Sequence, residues 1–174
     1  MSTDLQFIKR VKSTSSVTNV DITDCFTAEY DVYKIILADL DLQGAGDENI
    51  ALRFLDSGGT VISAGEYDWA TYFLYSHAGF SQQRGTSQTE FLYGMGYAPE
   101  SNNGSLGSVA YIYNPYDSSS FTYLTQQSST SGGSGGLGNK ALGVHKSTEQ
   151  LSGVRIFVDT GTIERLTTSI YGVK

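Results

Sequence analysis

Four acidic residues crowd around one Gly-rich loop in the first half of the chain: Asp39, Asp41, Asp47 and Glu48. Carboxylate oxygens are hard ligands, and several of them on one loop can hold Ca²⁺. Their order does not follow the EF-hand pattern, which requires D-x-[DN]-x-[DN]-G and a Glu further along. The pattern therefore favours a solvated acidic loop over a calcium site, although these four residues are the metal candidates that the sequence offers.

An aromatic stretch offers a second kind of chemistry. On a β-strand, Tyr67, Trp69, Thr71, Phe73 and Tyr75 would share one face, because successive side chains point to opposite sides. Aromatic rings stacked on sugar faces are a common way for β-sandwiches to bind glycans, so Tyr67, Trp69 and Tyr75 form a candidate glycan-binding row. The alternative, which we favour, is that Trp69 and Phe73 belong to a hydrophobic core.

No arrangement of residues points to catalysis. The two histidines, His77 and His145, stand in neither an H-x-H nor an H-E-x-x-H spacing, so polar loop or strand-end positions are expected for both. Glycoside hydrolysis needs two carboxylates about 5–10 Å apart in a cleft. Nothing in the spacing recommends the available candidates, which are Glu66, Asp68, Glu90 and Glu100. The sequence predicts a protein that is not an enzyme and that requires no cofactor.

Composition argues against several classes of partner. The 174 residues carry a formal net charge of -7, whereas phosphate binding needs concentrated Lys and Arg, so nucleic acid is not expected as a partner. Cys25 is the single cysteine, which rules out an intramolecular disulfide and predicts a small buried hydrophobic residue. No window approaches the ~20 apolar residues of a membrane helix, and the first residues lack the pattern of a secretory signal. We expect a soluble protein, made in a cytosol, with no membrane partner.

The elements that must position these residues are predicted to be strands. The run Tyr33 to Leu42 carries apolar residues on both faces, which indicates a central strand covered on both sides or buried at a subunit contact. Short strands recur at regular spacing with turn signals such as Asp56-Ser57-Gly58-Gly59 between them, and no sustained helical period appears. The sequence predicts an all-β fold, an antiparallel β-sandwich of about ten strands and of jelly-roll type.

One domain accounts for the whole length. Residues 1–29 are predicted to be an N-terminal arm with edge strands, and residues 30–174 the β-sandwich domain. Residues 128–138 read SSTSGGSGGLG, a composition typical of a flexible loop. Residues 151–174 are predicted to close the fold as a β-hairpin whose turn is Asp159-Thr160-Gly161.

Several motifs, taken in order, resemble those of a known group of proteins. The C-terminal stretch contains Ser152-Gly153-Val154-Arg155-Ile156, then the Gly161 turn, then Ile170-Tyr171-Gly172-Val173-Lys174. Upstream lie YDVYKI at residues 30–35 and LRFLDSGG at residues 52–59. This succession resembles small β-rich virion structural proteins of tailed bacteriophages, in which a G-I/V-R-I/F strand, a Gly turn and a final L/I-Y-G-I/V-K recur. The matching motifs span most of the chain from Tyr30 onward.

That resemblance implies a jelly-roll sandwich and a non-enzymatic role on the virion, as a capsid decoration (cement) protein or a tail-associated component. The partners it implies are other virion proteins of the capsid or tail and further copies of the chain, a trimer being the expected homo-oligomer. The protein would be made in the host cytoplasm and then reside on the virion. The alternative from a different class is a glycan-binding, receptor-recognition module of a phage fibre.

Overall fold

The computed structural model describes residues 5–43, 48–98, 106–132 and 134–174, and these residues form twelve strands and no helix. The all-β prediction is confirmed, with twelve described strands against the expected ten or so. No helix in the described part of the chain is long and apolar enough to span a membrane. The strands, in chain order, are β1 (Leu5–Ser13), β2 (Asn19–Ile22), β3 (Val32–Gln43), β4 (Glu48–Asp56), β5 (Tyr67–Tyr75), β6 (Gly79–Gln88), β7 (Phe91–Ala98), β8 (Gly107–Tyr113), β9 (Thr122–Gly132), β10 (Gly135–His145), β11 (Leu151–Phe157) and β12 (Thr162–Val173).

These strands form two antiparallel sheets that face each other as a sandwich. The larger sheet has eight strands in the order β1-β12-β3-β8-β9-β10-β5-β6, and the smaller has four in the order β2-β11-β4-β7. Strands β1 and β2, from the first 29 residues, each lie at an edge of one sheet. The strands divide unequally between the sheets, and the jelly-roll subtype stays a prediction.

Side-chain alternation explains how each sheet finds its buried face. In β3, Tyr33, Ile35 and Leu37 are buried, while Lys34 and Ile36 between them are not. The inward residues of both sheets join in one hydrophobic core. Burial of this kind supplies most of the driving force of folding, at about 25 cal/mol per Å² of apolar surface.

The terminal stretch does not form the predicted hairpin. Strand β11 pairs with β2 and β4 in the smaller sheet, whereas β12 lies between β1 and β3 in the larger one. The predicted turn at residues 159–161 therefore connects the two sheets, with Gly161 at a φ of 67° that favours glycine. Alternation within a strand shows which side is buried, but it does not show which strand lies alongside, so the sequence could not separate an arch from a hairpin.

The flexible loop predicted at residues 128–138 is also corrected by the structure. Residues 128–132 belong to β9 and residues 135–138 to β10, which pair as a hairpin with Gly132 opposite Gly135 and Ser129 opposite Gly138. Gly and Ser are poor strand formers by propensity, but pairing and packing decide the outcome in a sheet.

A buried polar network accounts for this Ser- and Gln-rich strand. The Asn139 side-chain amide donates hydrogen bonds to the Gln126 side-chain oxygen at 3.0 Å and to the Thr71 hydroxyl at 3.1 Å. Gln126 in turn donates to the Ser108 hydroxyl at 3.1 Å, and Ser128 donates to Asn139. Because these buried groups form hydrogen bonds with one another, polar side chains can occupy the inward faces of these strands.

Candidate functional site: the outer face of the larger sheet

The outward face of the eight-stranded sheet forms a groove of about 1290 Å³. Strand register places its side chains in rows that run across the sheet. One row crosses six strands through directly opposed residues: Arg84, Ala70, Leu142, Thr125, Tyr111 and Lys34. A neighbouring row crosses the same six strands: Gln82, Tyr72, Lys140, Gln127, Val109 and Ile36. The groove is therefore built on paired strands, whose register fixes which side chains lie next to one another.

Apolar side chains stand uncovered on this face. Leu142 is 61% exposed, Tyr72 53% and Leu74 50%. On β3, Ile36 lines the groove, so the outer side of that strand is not covered by the described chain. The sequence indicated either cover on both sides or burial at a subunit contact; the described residues do not provide the cover, and the subunit contact stays a prediction. Exposed apolar patches of this kind mark sites of interaction.

The groove carries positive charge although the chain is acidic. Lys34, Arg84 and Lys140 line it, and no carboxylate is among the described lining residues. The Lys34 ammonium lies 5.6 Å from the centre of the Tyr111 ring, within the range of a cation–π interaction. None of the three cations forms an ion pair within the described residues. An incoming negative group would therefore meet cations that are free of competing carboxylates.

The glycan-binding row predicted from the sequence faces the opposite way, into the core. Tyr67 is fully buried, and its hydroxyl donates to the Ile62 carbonyl at 3.0 Å and accepts from the Phe54 amide at 3.1 Å. Burial also raises the pKa of Tyr67. Trp69 is 8% exposed and packs edge-on against Tyr93 with ring centres 5.3 Å apart. Neither ring offers an open face to a sugar.

The third member of that row, Tyr75, is half-buried at the end of β5, next to the core. The same strand presents Tyr72 and Leu74 outward, one position out of phase with the predicted row. Both faces of the strand are rich in apolar residues, so composition could not indicate which aromatic side chains remain accessible.

The acidic candidates for calcium are engaged in other contacts. The Arg165 guanidinium lies 2.6 Å from a carboxylate oxygen of Asp39 and 3.4 Å from one of Asp41. Glu48 is buried and accepts a hydrogen bond from the Thr160 hydroxyl. Asp47 lies outside the described residues. Because β12 places Arg165 opposite Asp41, the cation comes from a strand distant in sequence, which is why the sequence alone suggested an open acidic loop.

Two of the carboxylates considered for catalysis are likewise engaged in ion pairs. Asp68 pairs with Lys146 at 2.9 Å, and a hydrogen bond from the Ser87 amide is the main cause that lowers its pKa. Glu90 pairs with Arg53 at 2.8 Å. A carboxylate oxygen of Glu66 lies 3.3 Å from the Nε2 of His145, and Glu100 lies outside the described residues.

Two further polar residues have contrasting positions. His77 is exposed, whereas His145 is fully buried at the end of β10. The sequence contains a G-x-S-x-G match at residues 132–136, and its Ser134 lies in the exposed turn between β9 and β10. A nucleophile elbow instead requires a sharp turn from a strand into a helix.

Comparisons with protein families, with curated proteins and with solved structures find no match for this chain. Its function is therefore argued from its residues and their geometry.

Proposed function

We propose that this chain is a non-enzymatic structural protein of a bacteriophage virion, either a capsid decoration (cement) protein or a tail-associated component. In this proposal it acts through subunit–subunit contacts made by the outer face of the larger sheet. The observation that carries the proposal is the uncovered groove, with its apolar and cationic side chains on rigid strands. The order of motifs shared with small phage virion proteins supplies the biological setting.

The side chains of the groove suit a protein partner. Tyr and Arg are enriched in protein interfaces, where large, stiff side chains bury area with little loss of conformational entropy. Tyr72, Tyr111 and Arg84 supply such groups, and Leu142 provides an apolar anchor. A groove already held by paired strands requires little reorganisation on binding, which lowers the free-energy cost of association.

Charge complementarity supports a second copy of the chain as the first partner. A chain of net charge -7 carries most of its carboxylates away from the groove, while the groove itself presents Lys34, Arg84 and Lys140. An acidic surface of one copy placed in the groove of the next makes a head-to-tail contact. Such contacts close into rings when the rotation between copies allows it, and a trimer is the expected ring.

Strand edges give a second means of joining copies or of joining the chain to a capsid or tail protein. Strands β1 and β6 end the larger sheet, and the side chains of β6 are exposed on both faces along almost their whole length. An unpaired edge can accept a strand from a neighbour through main-chain hydrogen bonds. The virion is the proposed location, with synthesis in the host cytoplasm.

A glycan-binding module of a phage fibre remains the alternative function, now placed on the groove and not on the buried row. Tyr72 is half-exposed there, and Gln82 lies directly opposite it on β6. An exposed ring beside a side-chain amide can stack on a sugar and hydrogen-bond its hydroxyls. Glycan binding that is lost in Tyr72→Ala, with the fold intact, would favour this function over assembly.

The test of the main proposal is reconstitution on particles. Purified chain is added to virions that lack it, and bound protein is quantified after sedimentation. Saturable binding, reduced at least tenfold in Lys34→Glu/Lys140→Glu, is the expected result. Lys174→Glu, at an exposed residue outside both the groove and the edge strands, serves as the control for loss of positive charge. A chain that stays monomeric at high concentration and does not bind such particles contradicts the proposal.

A further inference from the structure

A buried histidine lies beside two carboxylates, in a place that the groove does not include. His145 is completely buried, and neither of its ring nitrogens makes a well-aligned hydrogen bond within the described residues. Its Nε2 lies 3.3 Å from a carboxylate oxygen of Glu66 and 3.9 Å from one of Glu149. A buried polar atom without a good hydrogen bond destabilises the folded protein, so a ligand bound to the Nε2 of His145 would remove an energetic cost.

Neighbouring rings pack against the imidazole, and the two carboxylates lie on its solvent side. The His145 ring packs against Tyr67 and Phe54, with ring centres 4.7 and 5.5 Å apart. The side chains of Glu66 and Glu149 are 36% and 32% exposed. The buried nitrogen therefore lies at the bottom of a small site, and the two carboxylates stand between it and solvent.

We propose that Glu66, His145 and Glu149 bind a divalent transition metal ion, with Zn²⁺ as the best fit. One ligand atom from each residue lies within 4.8 Å of the other two. Tetrahedral zinc, with bonds of about 2.0–2.2 Å, needs ligand atoms about 3.3 Å apart. The pair His145–Glu66 already meets that spacing, and a small rotation of the half-exposed Glu149 side chain brings the third ligand into place.

The donor set selects the class of metal. An imidazole nitrogen suits zinc and its neighbours, whereas calcium and magnesium take oxygen ligands almost alone. Three protein ligands leave a fourth position for water on the solvent side. Metal binding requires the neutral imidazole, because the ligand is the lone pair of a ring nitrogen.

The nearby cation does not occupy the site. Lys146 follows His145 directly, but its ammonium pairs with Asp68 at 2.9 Å. The two glutamates therefore keep their negative charge available for a metal. Bound metal would join the residue before β5, the end of β10 and the connection that leads from β10 in the larger sheet to β11 in the smaller sheet.

The test is calorimetric titration of Zn²⁺ into tag-free protein that has been stripped with a chelator. We expect one site per chain, and at least tenfold weaker binding in both Glu66→Gln and Glu149→Gln. These half-exposed carboxylates can be changed without opening the core. Asp31→Asn, which removes the same charge at an exposed position, should bind like the wild type.

Three results would overturn the proposal: no saturable heat from zinc, wild-type zinc affinity in Glu66→Gln and Glu149→Gln, or Ca²⁺ binding as tightly as Zn²⁺. Melting curves provide an independent readout, since a metal that binds only the folded chain raises the melting temperature with its concentration. Neither zinc titration nor the melting temperature depends on particle binding, so these experiments test the metal site independently of the assembly function.

Discussion

The Lys34 ammonium lies 5.6 Å from the centre of the Tyr111 ring, where strands β3 and β8 pair and turn both side chains away from the core. The ring limits the positions of the lysine side chain without neutralising its charge. Together with Lys140 and Arg84, this pair gives an acidic protein a cationic groove. The outer face and the core beneath it therefore have different roles, the first in contacts and the second in stability.

The two faces of β5 should respond differently to truncation of an aromatic residue. Trp69→Ala removes a ring that is 8% exposed, and loss of a buried aromatic costs about 3–5 kcal/mol in the free energy of unfolding. Tyr72→Ala, on the same strand but 53% exposed, should change it by no more than about 0.5 kcal/mol. Urea unfolding of the two variants measures both values. Equal losses would mean that the assigned faces are incorrect.

Close packing of β11 against β2 predicts a strong effect at a glycine. A Cβ added to Gly153 would lie 2.1 Å from the carbonyl oxygen of Ile22, which is backbone and cannot rotate away. Gly153→Ala should therefore destabilise the protein by about 1–3 kcal/mol or more. Gly107→Ala is the matched control, because an added Cβ there meets nothing within 4 Å. Equal unfolding midpoints for the two variants would contradict the pairing of β11 with β2.

The single thiol should be unreactive in the folded protein. Burial raises the pKa of Cys25 from its usual 9.0 to about 12, so the native thiol stays protonated at pH 8. A thiol reagent at pH 8 should label it far more slowly in buffer than in urea. The linkage has a defined sign: the thiol's contribution to stability is complete below pH 9 and is lost between pH 9 and about 12, because the unfolded thiol ionises first. Labelling in buffer at the rate seen in urea would contradict this burial.

Calcium should have no effect on the acidic loop. Asp39 and Asp41 face Arg165, so a calcium ion would have to displace a cation already in contact with them. The melting temperature should be the same with millimolar Ca²⁺ and with an equal ionic strength of NaCl, which screens surface charges without coordinating them. A rise specific to Ca²⁺ would show that the carboxylates can be recruited.

The fold class followed from local patterns, whereas the site did not. Alternation of apolar residues predicted strands such as β3, and turn residues predicted the Asp56–Gly59 turn, whose Asp56 carboxylate accepts from the Gly58 and Thr60 amides at 2.8 Å each. The polar strand β6 carries no such alternation and was not predicted. The partners of each strand depend on contacts distant in sequence. For that reason the sequence predicted a hairpin where the chain forms an arch at Gly161, and a flexible loop where β9 and β10 form a hairpin.

The same limitation hid the functional candidates. Lys34 and Lys140 are 106 positions apart in the printed sequence and meet on one face only through the order β3-β8-β9-β10. His145 and Glu66 are joined by the pairing of β10 with β5, which places His145 opposite Tyr67. No short motif records either juxtaposition, so only the sheet register could reveal them.

The most direct measurement is light scattering on the chain after size exclusion, over a wide range of concentration. Wild type should form a discrete assembly, expected to be a trimer, that dissociates on dilution or in high salt, because the contact pairs a cationic groove with an acidic surface. Lys140→Glu should be monomeric at concentrations where Lys174→Glu, changed at an exposed residue outside the groove and the edge strands, assembles like the wild type. A wild type that stays monomeric throughout, or a Lys140→Glu variant that assembles normally, would contradict assembly through the groove.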